Sequence, residues 1–404
     1  MALLVQKFGG TSVGSIERIE AVADIIIRQR QQGHHVVAVV SAMSGETNRL
    51  LALAEQVDNS PSPRELDALV STGEQVSASL LAMALIRRGY PAISLLGDQL
   101  GIRTDNLFTK ARINDINSAR LRQEIEHGRI VIAAGFQGRD LEGNITTLGR
   151  GGSDTSAVAI AAAINAQECQ IYTDVDGVYT TDPRIEPGAW KLSSVSVQVM
   201  LEMASLGAKV LHIRAVEAAA HYKMPLRVLS SFNVGEGTRV DYEDEGMQQQ
   251  TVSGIASKRE QALIFINDCS NDGSTLANIV ELLAEKGIEI DMINQVNQKV
   301  GKVDYAISVP SLELQQAMSL LQESGALSGA KIDSRDDLAM LSIVGAGIKT
   351  NTPITGRFFR VLADENIDVV VASSGEIKLS VLIERKYLEL GVRALHAAFL
   401  TASE

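Results

Sequence analysis

The sequence predicts an α/β protein with a mainly parallel open sheet sandwiched by helices, followed by two small βαββαβ domains. Across residues 1–240, short apolar strands alternate with amphipathic helices, a pattern typical of a parallel sheet covered on both faces. An acidic, glutamine-rich run without apolar periodicity then interrupts the alternation at residues 241–250 and is interpreted as a linker. Beyond this run, one order of strands and helices occurs twice.

Composition limits the classes of function. The 404-residue chain is long enough for several domains, and its net charge of −12 argues against general nucleic-acid binding but not against an anionic substrate. Its two cysteines, Cys169 and Cys269, lack metal-site spacing, which favours a reduced cytoplasmic protein without a metal centre. The N-terminus does not resemble a signal peptide, and no apolar run approaches the ~20 residues of a membrane span.

Six apolar segments are predicted to be strands of the large sheet. They are Leu3–Lys7, Val36–Ser41, Ala92–Leu96, Ile130–Ala134, Gln170–Thr173 and Leu226–Leu229. Ligands of open parallel sheets bind beyond the carboxyl ends of the strands. The regions of Lys7, Ser41 and Thr173 are therefore predicted to converge on one rim.

The first glycine-rich turn is Lys7-Phe8-Gly9-Gly10-Thr11-Ser12-Val13. It is not a Walker A loop, because that motif needs a lysine after its last glycine and here Ser15 follows Gly14. Lys7 instead ends a strand, where it could bridge phosphates while the glycine backbone approaches closely. A solvated lysine beside an ordinary turn remains the alternative.

The second glycine-rich turn is Gly149-Arg150-Gly151-Gly152-Ser153-Asp154, which opens onto a predicted buried helix at Thr155–Asn165. Ser153 or Asp154 is expected to cap this helix, whose N-terminus would favour an anion. Arg150 has room between glycines to fork around a carboxylate or phosphate. A purely capping role for Asp154 stays open.

Other candidates lie in polar segments after predicted strands. Ser41 and Thr47 offer hydroxyls for a small polar molecule, and Glu74 could pair with an ammonium group or simply cap a helix. The run from Tyr172 to Arg184 carries groups that could bind ribose, base or metal.

The six histidines form no cluster, so no general base is evident. Phosphoryl transfer to a carboxylate needs none, because a carboxyl group with a pKa of about 4 is already ionised at neutral pH. Catalysis would then consist of positioning and charge neutralisation.

An internal repeat follows the linker. The segment beginning at Leu283 (LAEKGIEI) aligns with that beginning at Leu362 (LADENIDV). A strand precedes each helix, at Leu263–Ile266 and at Met340–Val344, and a second strand follows. Two copies of βαββαβ explain this order best.

Both glycine-rich turns, together with Tyr179-Thr180-Thr181-Asp182-Pro183-Arg184, resemble the aspartate kinases of the amino acid kinase family, and the tail resembles their paired ACT domains. The resemblance implies a catalytic domain at 1–240, a linker at 241–250 and ACT domains at 251–330 and 331–404. It implies transfer of phosphate from ATP, with Mg²⁺, to the side-chain carboxylate of L-aspartate. This is the first step toward lysine, threonine and methionine.

The matching positions imply roles for individual residues. The catalytic residues would be Lys7, Asp154 and Arg150: Lys7 would stabilise the transferring phosphoryl group, Asp154 would orient Lys7 or act through Mg²⁺, and Arg150 would hold the substrate carboxylate. Substrate-binding residues would be Ser41, Thr47, Glu74 (for the α-ammonium group), Arg150, Gly151 and Ser153. Nucleotide-binding residues would be Lys7, Gly9, Gly10, Thr11, Thr173, Asp174, Tyr179, Arg184, Lys209 and Val210.

The ACT resemblance implies sensing of lysine, threonine or both. The implied effector residues are Asp272, Gly273, Ser274, Thr275, Met292, Ile293, Asn294, Gln298, Ile354, Thr355 and Glu376. The first-repeat loop lacks the proline often found before its glycine, so the identity of the effector stays open. The resemblance also implies an oligomer formed through the ACT domains, with a separate regulatory subunit starting near Met247 as a further hypothesis.

Three alternatives remain. Another kinase of this fold could act on glutamate, N-acetylglutamate, carbamate or UMP, and the chain could be a catalytically silent amino-acid sensor. A dinucleotide-binding oxidoreductase is less favoured, because the run Gly345-Ala346-Gly347-Ile348-Lys349-Thr350 begins like GxGxxG but ends in threonine and lies inside a repeat.

Overall fold

The structure is a computed structural model that describes residues 2–208, 210–242, 251–299, 301–327 and 329–400. The chain forms two compact units. The first comprises Met1–Tyr179, Lys191–Ser205 and Lys209–Met247, and the second comprises Thr180–Trp190, Leu206–Ala208 and Gln248–Glu404.

The first unit contains the large sheet, a smaller sheet and the helices around them. Its strands are β1 (Leu3–Phe8), β2 (His35–Val40), β3 (Ala92–Leu95), β4 (Ile102–Thr104), β5 (Ile113–Ile116), β6 (Ile130–Ala134), β7 (Gln137–Arg139), β8 (Ile145–Thr147), β9 (Glu168–Thr173), β10 (Ser194–Ser196), β11 (Leu226–Ser230) and β12 (Thr238–Asp241). Its helices are α1 (Ile16–Gln31), α2 (Glu46–Val57), α3 (Pro63–Val70), α4 (Thr72–Arg87), α5 (Ala119–Glu126), α6 (Gly152–Ile164), α7 (Val197–Ser205) and α8 (Ile213–Tyr222).

The large sheet has eight strands in the order β10-β12-β11-β9-β1-β2-β6-β3. Every neighbouring pair is parallel except β11 and β12. Helices α1 and α4 bury one face, which includes Phe8, Ala38 and Ile132. Alternate residues such as Val37 and Val39 point to the other face, where α6 contacts β1, β2 and β9. The predicted fold class and all six predicted strands are confirmed.

The carboxyl ends of β9, β1 and β2 lie side by side. The N–H of Gly9 donates to the carbonyl of Tyr172 at 3.3 Å, and the N–H of Ser41 donates to the carbonyl of Phe8 at 3.0 Å. The predicted convergence of the Lys7, Ser41 and Thr173 regions on one rim is therefore confirmed.

A four-stranded sheet in the order β5-β4-β7-β8 lies beside this framework and was not predicted. Its strands are only three or four residues long, too short for hydrophobic alternation to reveal them. Strand β8 ends at Thr147, directly before the second glycine-rich turn.

The stretch Pro63–Arg87, which contains α3 and α4, is long and apolar enough to cross a membrane by length and composition alone. However, 56% of its most apolar window is buried inside the protein, and α4 packs on the sheet. These properties are those of a core helix.

The second unit is built on one antiparallel sheet with the strand order β14-β15-β13-β16-β18-β17. Its strands are β13 (Gly254–Ser270), β14 (Met292–Lys299), β15 (Lys302–Pro310), β16 (Lys331–Val344), β17 (Val369–Ser374) and β18 (Lys378–Glu384). Its helices are α9 (Thr275–Glu285), α10 (Leu314–Glu323), α11 (Thr352–Asp364) and α12 (Leu388–Phe399).

The two predicted repeats share their central strands. The C-terminal half of β13 pairs with β15 and with the start of β16, which completes a βαββαβ unit. Gly254–Lys258, at the start of β13, pairs instead with the end of β16, from Val344 back to Met340. Both predicted βαββαβ units are present, and the second takes its fourth strand from the start of β13, which precedes the rest of both repeats in the chain. Long β13 and β16 make the exchange possible, because each spans both repeats.

The internal repeat is visible in the packing. Leu283 on α9 and Leu362 on α11 are both fully buried, each in the core of its own repeat. The two aligned leucines therefore occupy equivalent core positions in the two repeats.

Residues 180–190 belong to the second unit although they lie within the predicted domain at 1–240. The N–H of Ile255 donates to the carbonyl of Thr180 at 2.7 Å, and the Thr180 hydroxyl lies 3.0 Å from Nε2 of His396. The Trp190 ring packs edge-on against His396, and Ile185 packs on the same apolar core. The segment is thus anchored to the second repeat.

Candidate active site

Lys7 and Asp154 form an ion pair at the rim of the large sheet. Lys7 lies near the end of β1 and Asp154 in the first turn of α6, with Nζ and Oδ1 2.5 Å apart and the side chains only 11% and 14% exposed. A Cβ atom at Gly9 would lie 3.5 Å from Nζ of Lys7, so the glycine leaves space beside the ammonium group. The structure thus brings together the two glycine-rich turns that the sequence singled out.

The segment termed the Gly149–Ser153 loop comprises the turn between β8 and α6 and the first two residues of α6. Gly151, with a φ of 72°, occupies the N-cap position of α6 without a side-chain capping bond. The expectation that Ser153 or Asp154 caps this helix is therefore wrong, because both residues lie inside its first turn. The N-terminal N–H groups of α6 thus lack a side-chain cap, and such groups favour an anion. Arg150 is exposed on the loop, and Ser153 is buried.

His212 and Arg214 hold the Gly149–Ser153 loop and were missed by the sequence reasoning. A Cβ atom at Gly151 would lie 2.2 Å from Cγ of His212, so only glycine fits against this ring. Arg214 donates hydrogen bonds to the carbonyls of Leu148 and, at 3.4 Å, of Ala111.

His212 also caps α8, since its Nδ1 accepts a hydrogen bond from the N–H of Arg214 at 3.4 Å. Burial, with contributions from nearby Arg214 and Arg150, lowers the pKa of His212, although Asp154 opposes the shift. A neutral ring agrees with the acceptor role. The one signal in the sequence for a capping role was that His212 directly precedes a helical pattern. A single histidine in that position is not enough to assign such a role.

Glu74 is a buried carboxylate beside the end of β2. It lies in the first turn of α4, is 3% exposed, and accepts a hydrogen bond from the N–H of Ala42 at 3.0 Å through Oε1. Its Oε2 atom has no hydrogen-bond partner among the residues that the structure describes. Ser41 is adjacent in sequence to Ala42, and Thr47 lies in the first turn of α2; both are half-buried.

Burial raises the pKa of Glu74 to about 7. If Glu74 binds an ammonium group, only its ionised form can do so. We therefore expect kcat/KM for an amino-acid substrate to increase with pH up to about 7 and then level off, since this parameter reports ionisation of the free enzyme. In the Glu74→Gln variant this dependence should disappear. A profile that keeps the same inflection in the variant would assign it to another group.

The candidate nucleotide side begins where β9 ends. The Thr173 hydroxyl donates to Asp174 at 3.0 Å, and Tyr179 donates to Asp176 at 2.9 Å. Lys191 also donates to Asp176, at 3.2 Å. Asp176 thus fixes the Tyr179 ring, a contact that the sequence reasoning missed.

The remaining candidate nucleotide-binding residues differ in their surroundings. Gly10 packs tightly against the carbonyl of Ala42, where a Cβ atom would lie 3.0 Å away, and Thr11 is exposed. Val210 precedes α8, whereas Lys209 lies outside the described residues. Arg184 belongs to the second unit, where it pairs with Asp182 at 2.7 Å.

No cluster of three or more His, Cys, Asp or Glu side chains suited to a metal occurs among the described residues. This arrangement is compatible with Mg²⁺ bound to a nucleotide, because Mg²⁺ is usually held by one or two carboxylates and by phosphates rather than by a protein cage.

The candidate effector residues lie near the first helix and the second strand of each repeat. Asp272, Gly273 and Ser274 form the loop before α9, Thr275 is the first residue of α9, and Met292, Ile293, Asn294 and Gln298 lie on β14. In the second repeat, Ile354 and Thr355 lie on α11, and Glu376 lies in the turn between β17 and β18. The N–H of Lys349 donates to the carbonyl of Glu376 at 3.2 Å, which brings that turn beside the loop before α11.

Among these residues, Asp272 is held by several hydrogen bonds within its own loop. Its Oδ1 atom accepts hydrogen bonds from the backbone N–H groups and the hydroxyls of both Ser274 and Thr275. These bonds lower the pKa of Asp272 to about 2. The carboxylate is therefore held ionised at the start of α9.

Comparisons with known proteins agree with this architecture. Residues 2–230 match the model of the amino acid kinase family, and residues 341–399 match an ACT domain. An aspartate kinase of Stutzerimonas stutzeri (strain A1501) is 52% identical over 401 residues, covering 99% of this chain and 97% of the relative.

Solved structures give the same result. E. coli aspartokinase III in complex with aspartate and ADP (R-state) superposes with a TM-score of 0.83 at 26% identity, covering 99% of this chain and 100% of that one. The same enzyme in complex with lysine and aspartate (T-state) superposes with a TM-score of 0.79 at the same identity and coverage. From its motifs, its fold and these relatives, the chain belongs to the aspartate kinases of the amino acid kinase family.

Proposed function

We propose that the chain transfers the γ-phosphoryl group of ATP to the side-chain carboxylate of L-aspartate, giving 4-phospho-L-aspartate and ADP. The observation that carries the proposal is the largely buried Lys7–Asp154 ion pair at the rim where the two glycine-rich turns meet. The acceptor is already ionised, so the protein has only to position two anions and offset their charge. A lysine held at a fixed point does both.

Aspartate would bind between Glu74 and the Gly149–Ser153 loop. The unpartnered Oε2 of Glu74 is a buried acceptor suited to the α-ammonium group. Arg150, Gly151 and Ser153 offer a cation, backbone N–H groups at a helix N-terminus and a hydroxyl for the carboxylate groups, with Ser41 and Thr47 completing the set. The direct 2.5 Å contact favours orientation of Lys7 as the role of Asp154, over action through Mg²⁺.

ATP would bind on the side of Gly9, Gly10 and the end of β9, with Thr173, Asp174 and Tyr179 as further contacts. Mg²⁺ would arrive with the nucleotide phosphates, and the exposed carboxylate of Asp174 is its best candidate ligand in the protein. The ion would supply additional charge neutralisation on the phosphates.

The ACT region would bind an end-product amino acid. A relative of this fold is known in complex with lysine. We extend this to lysine, threonine or both as effectors here, bound to the loop at Asp272 and to its counterpart before α11. An oligomer formed through the ACT region and a cytoplasmic location complete the proposal, whereas Met247, the suggested start of a separate subunit, lies outside the described residues.

The deciding experiment measures ADP release from purified protein with ATP, Mg²⁺ and L-aspartate, with hydroxylamine present to trap the acyl phosphate. Lysine and threonine are added singly and together. A hydroxamate product with aspartate supports the proposal. Turnover with glutamate or N-acetylglutamate but not aspartate would contradict it, and so would the absence of turnover with every acceptor.

Asp272→Asn is expected to relieve inhibition while leaving the uninhibited rate unchanged. Asparagine keeps an Oδ1 acceptor for the N–H groups of Ser274 and Thr275, so the loop should keep its conformation, but the charge that pairs with an effector ammonium group is lost. Losing a charge-assisted hydrogen bond should raise the half-inhibitory effector concentration roughly tenfold or more. Asp333→Asn, an exposed aspartate of the same unit whose Oδ1 accepts a backbone N–H, is the control. Unchanged inhibition would remove Asp272 from the effector site.

A further inference from the structure

Asp67 is a fully buried carboxylate that the catalytic scheme above does not use. It lies on α3, a short helix whose Arg64 and Glu65 are exposed, yet Asp67 itself is 0% exposed. Burying an ionisable group is costly unless its polar atoms are paired. Its partners therefore indicate what this residue does.

All the partners of Asp67 that the structure shows are two threonines. Oδ1 accepts from the hydroxyl of Thr147 at 2.6 Å, and Oδ2 accepts from the N–H of Thr147 at 2.8 Å. The N–H of Thr109 points at both oxygens, at 3.0 and 2.9 Å. Burial raises the pKa of Asp67, whereas these hydrogen bonds oppose the shift. No Lys or Arg forms an ion pair with it within the described ranges.

Both threonines support the Gly149–Ser153 loop. Thr147 ends β8, two residues before Gly149. Thr109 has a positive φ of 68°, and its carbonyl would lie 2.8 Å from a Cβ atom at Gly149. By fixing Thr147 and Thr109 together, Asp67 fixes the point from which the loop starts.

Asp67 also connects this loop to Glu74. Only Ser71 separates α3 from α4, and Glu74 lies in the first turn of α4. Ser71 is itself tied to the smaller sheet, since its carbonyl accepts from Nε2 of Gln137 at 3.0 Å. The helix that carries the proposed ammonium-binding group is therefore joined, through Asp67, to the loop proposed to bind the carboxylates.

We propose that Asp67 is a positioning residue that sets the spacing between Glu74 and the Gly149–Ser153 loop, and with it the binding of aspartate. The inference rests on the proposed function, because it assumes that both elements bind the same substrate. Asp67 itself touches no reacting atom. Preorganised binding groups lose much of their effect when their support moves by about an ångström.

The first test is Asp67→Asn in the full chain. An amide cannot accept hydrogen bonds at both of its polar atoms, so one threonine N–H would face an N–H donor. We expect KM for aspartate to rise about tenfold or more while KM for ATP stays within about twofold. Asp140→Asn is the matched control, because Asp140 accepts N–H groups in the turn at the far end of the β7–β8 hairpin. An unchanged KM for aspartate in Asp67→Asn, or an equal rise in Asp140→Asn, would overturn the inference.

A milder pair of variants covers the case in which Asp67→Asn does not fold. Thr147→Val removes the hydroxyl donor to Asp67 but leaves the backbone donors in place. Thr146→Val alters the adjacent residue of β8, whose buried hydroxyl pairs instead with Thr104 at 2.6 Å. KM for aspartate should rise in the first variant, by less than in Asp67→Asn, and stay unchanged in the second. Equal effects in the two variants would indicate a purely structural role and overturn the inference.

The unmodified chain separates the two proposals. If it yields the trapped hydroxamate from aspartate and Thr147→Val shows the parental KM, the inference about Asp67 fails alone. If it does not phosphorylate aspartate, the proposed function fails and the inference fails with it.

Discussion

Lys7→Met is expected to lower kcat by roughly 10²–10³-fold with little change in KM for either substrate. A fixed positive charge that stabilises the transferring phosphoryl group acts mainly in the transition state, so its loss appears in kcat. Methionine retains most of the volume of the lysine side chain in the space beside Gly9. Steady-state kinetics with the hydroxamate assay measures the effect.

The matched control for this variant is Lys258→Met. Lys258 forms an equally short 2.5 Å ion pair with Asp291, and both side chains are comparably buried, at 18% and 10% exposed. Both variants leave a poorly solvated carboxylate without its cation and should lower Tm similarly. Only Lys7→Met should lose kcat, measured without effectors. A kcat near that of the parent in Lys7→Met would contradict the assignment of Lys7.

Glu74→Gln is expected to raise KM for aspartate by roughly 10- to 150-fold, the range that corresponds to losing a charge-assisted hydrogen bond of about 1.5–3 kcal/mol. Glutamine keeps an oxygen acceptor for the N–H of Ala42, so the end of β2 should retain its conformation. KM for ATP should not change. Initial rates over a range of aspartate concentrations measure the effect.

Succinate provides a chemical control for Glu74. It carries the same two carboxylates as aspartate but no ammonium group, so parent and variant should phosphorylate it with similar, low efficiency. Glu124→Gln controls for the loss of a buried glutamate, since Glu124 pairs with Arg129 at 2.5 Å on α5. A penalty of equal size for aspartate and succinate would mean that Glu74 does not recognise the amine.

The parts of the fold that the sequence predicted are those governed by local patterns. Continuous apolar runs such as Ile130–Ala134 become strands buried on both faces, and the alanine-rich stretch after Ser153 becomes the buried helix α6. Lys7 and Asp154 stood out because glycines surround them. The parallel-sheet rule predicted only that the regions of Lys7, Ser41 and Thr173 meet at one rim, whereas the link between Asp154 and Lys7 came from the resemblance to the aspartate kinases.

The parts that were missed depend on contacts between residues distant in sequence. Asp67 reads as one charged residue on a polar helix, and its burial becomes apparent only when Thr109 and Thr147 are brought to it. His212 is recognised only against Gly151. The fourth strand of the second repeat could not be assigned either. Gly254–Lys258 lies before both aligned segments, and nothing in its sequence indicates that it pairs with the end of β16.

The anchoring of residues 180–190 bears on how this enzyme can be divided into pieces. A recombinant catalytic fragment ending near residue 246 would keep Ile185 and Trp190 but lose Ile255 and His396, the groups on which that segment rests. Residues 180–190 of this fragment would expose apolar side chains that are covered in the full chain, which lowers solubility. A loss of feedback inhibition in the fragment could then result either from the missing effector site or from the missing contacts of this segment. The second unit therefore supplies the contacts that bury this apolar segment of the predicted catalytic domain. A design that splits the chain has to co-express both pieces or replace the exposed apolar residues.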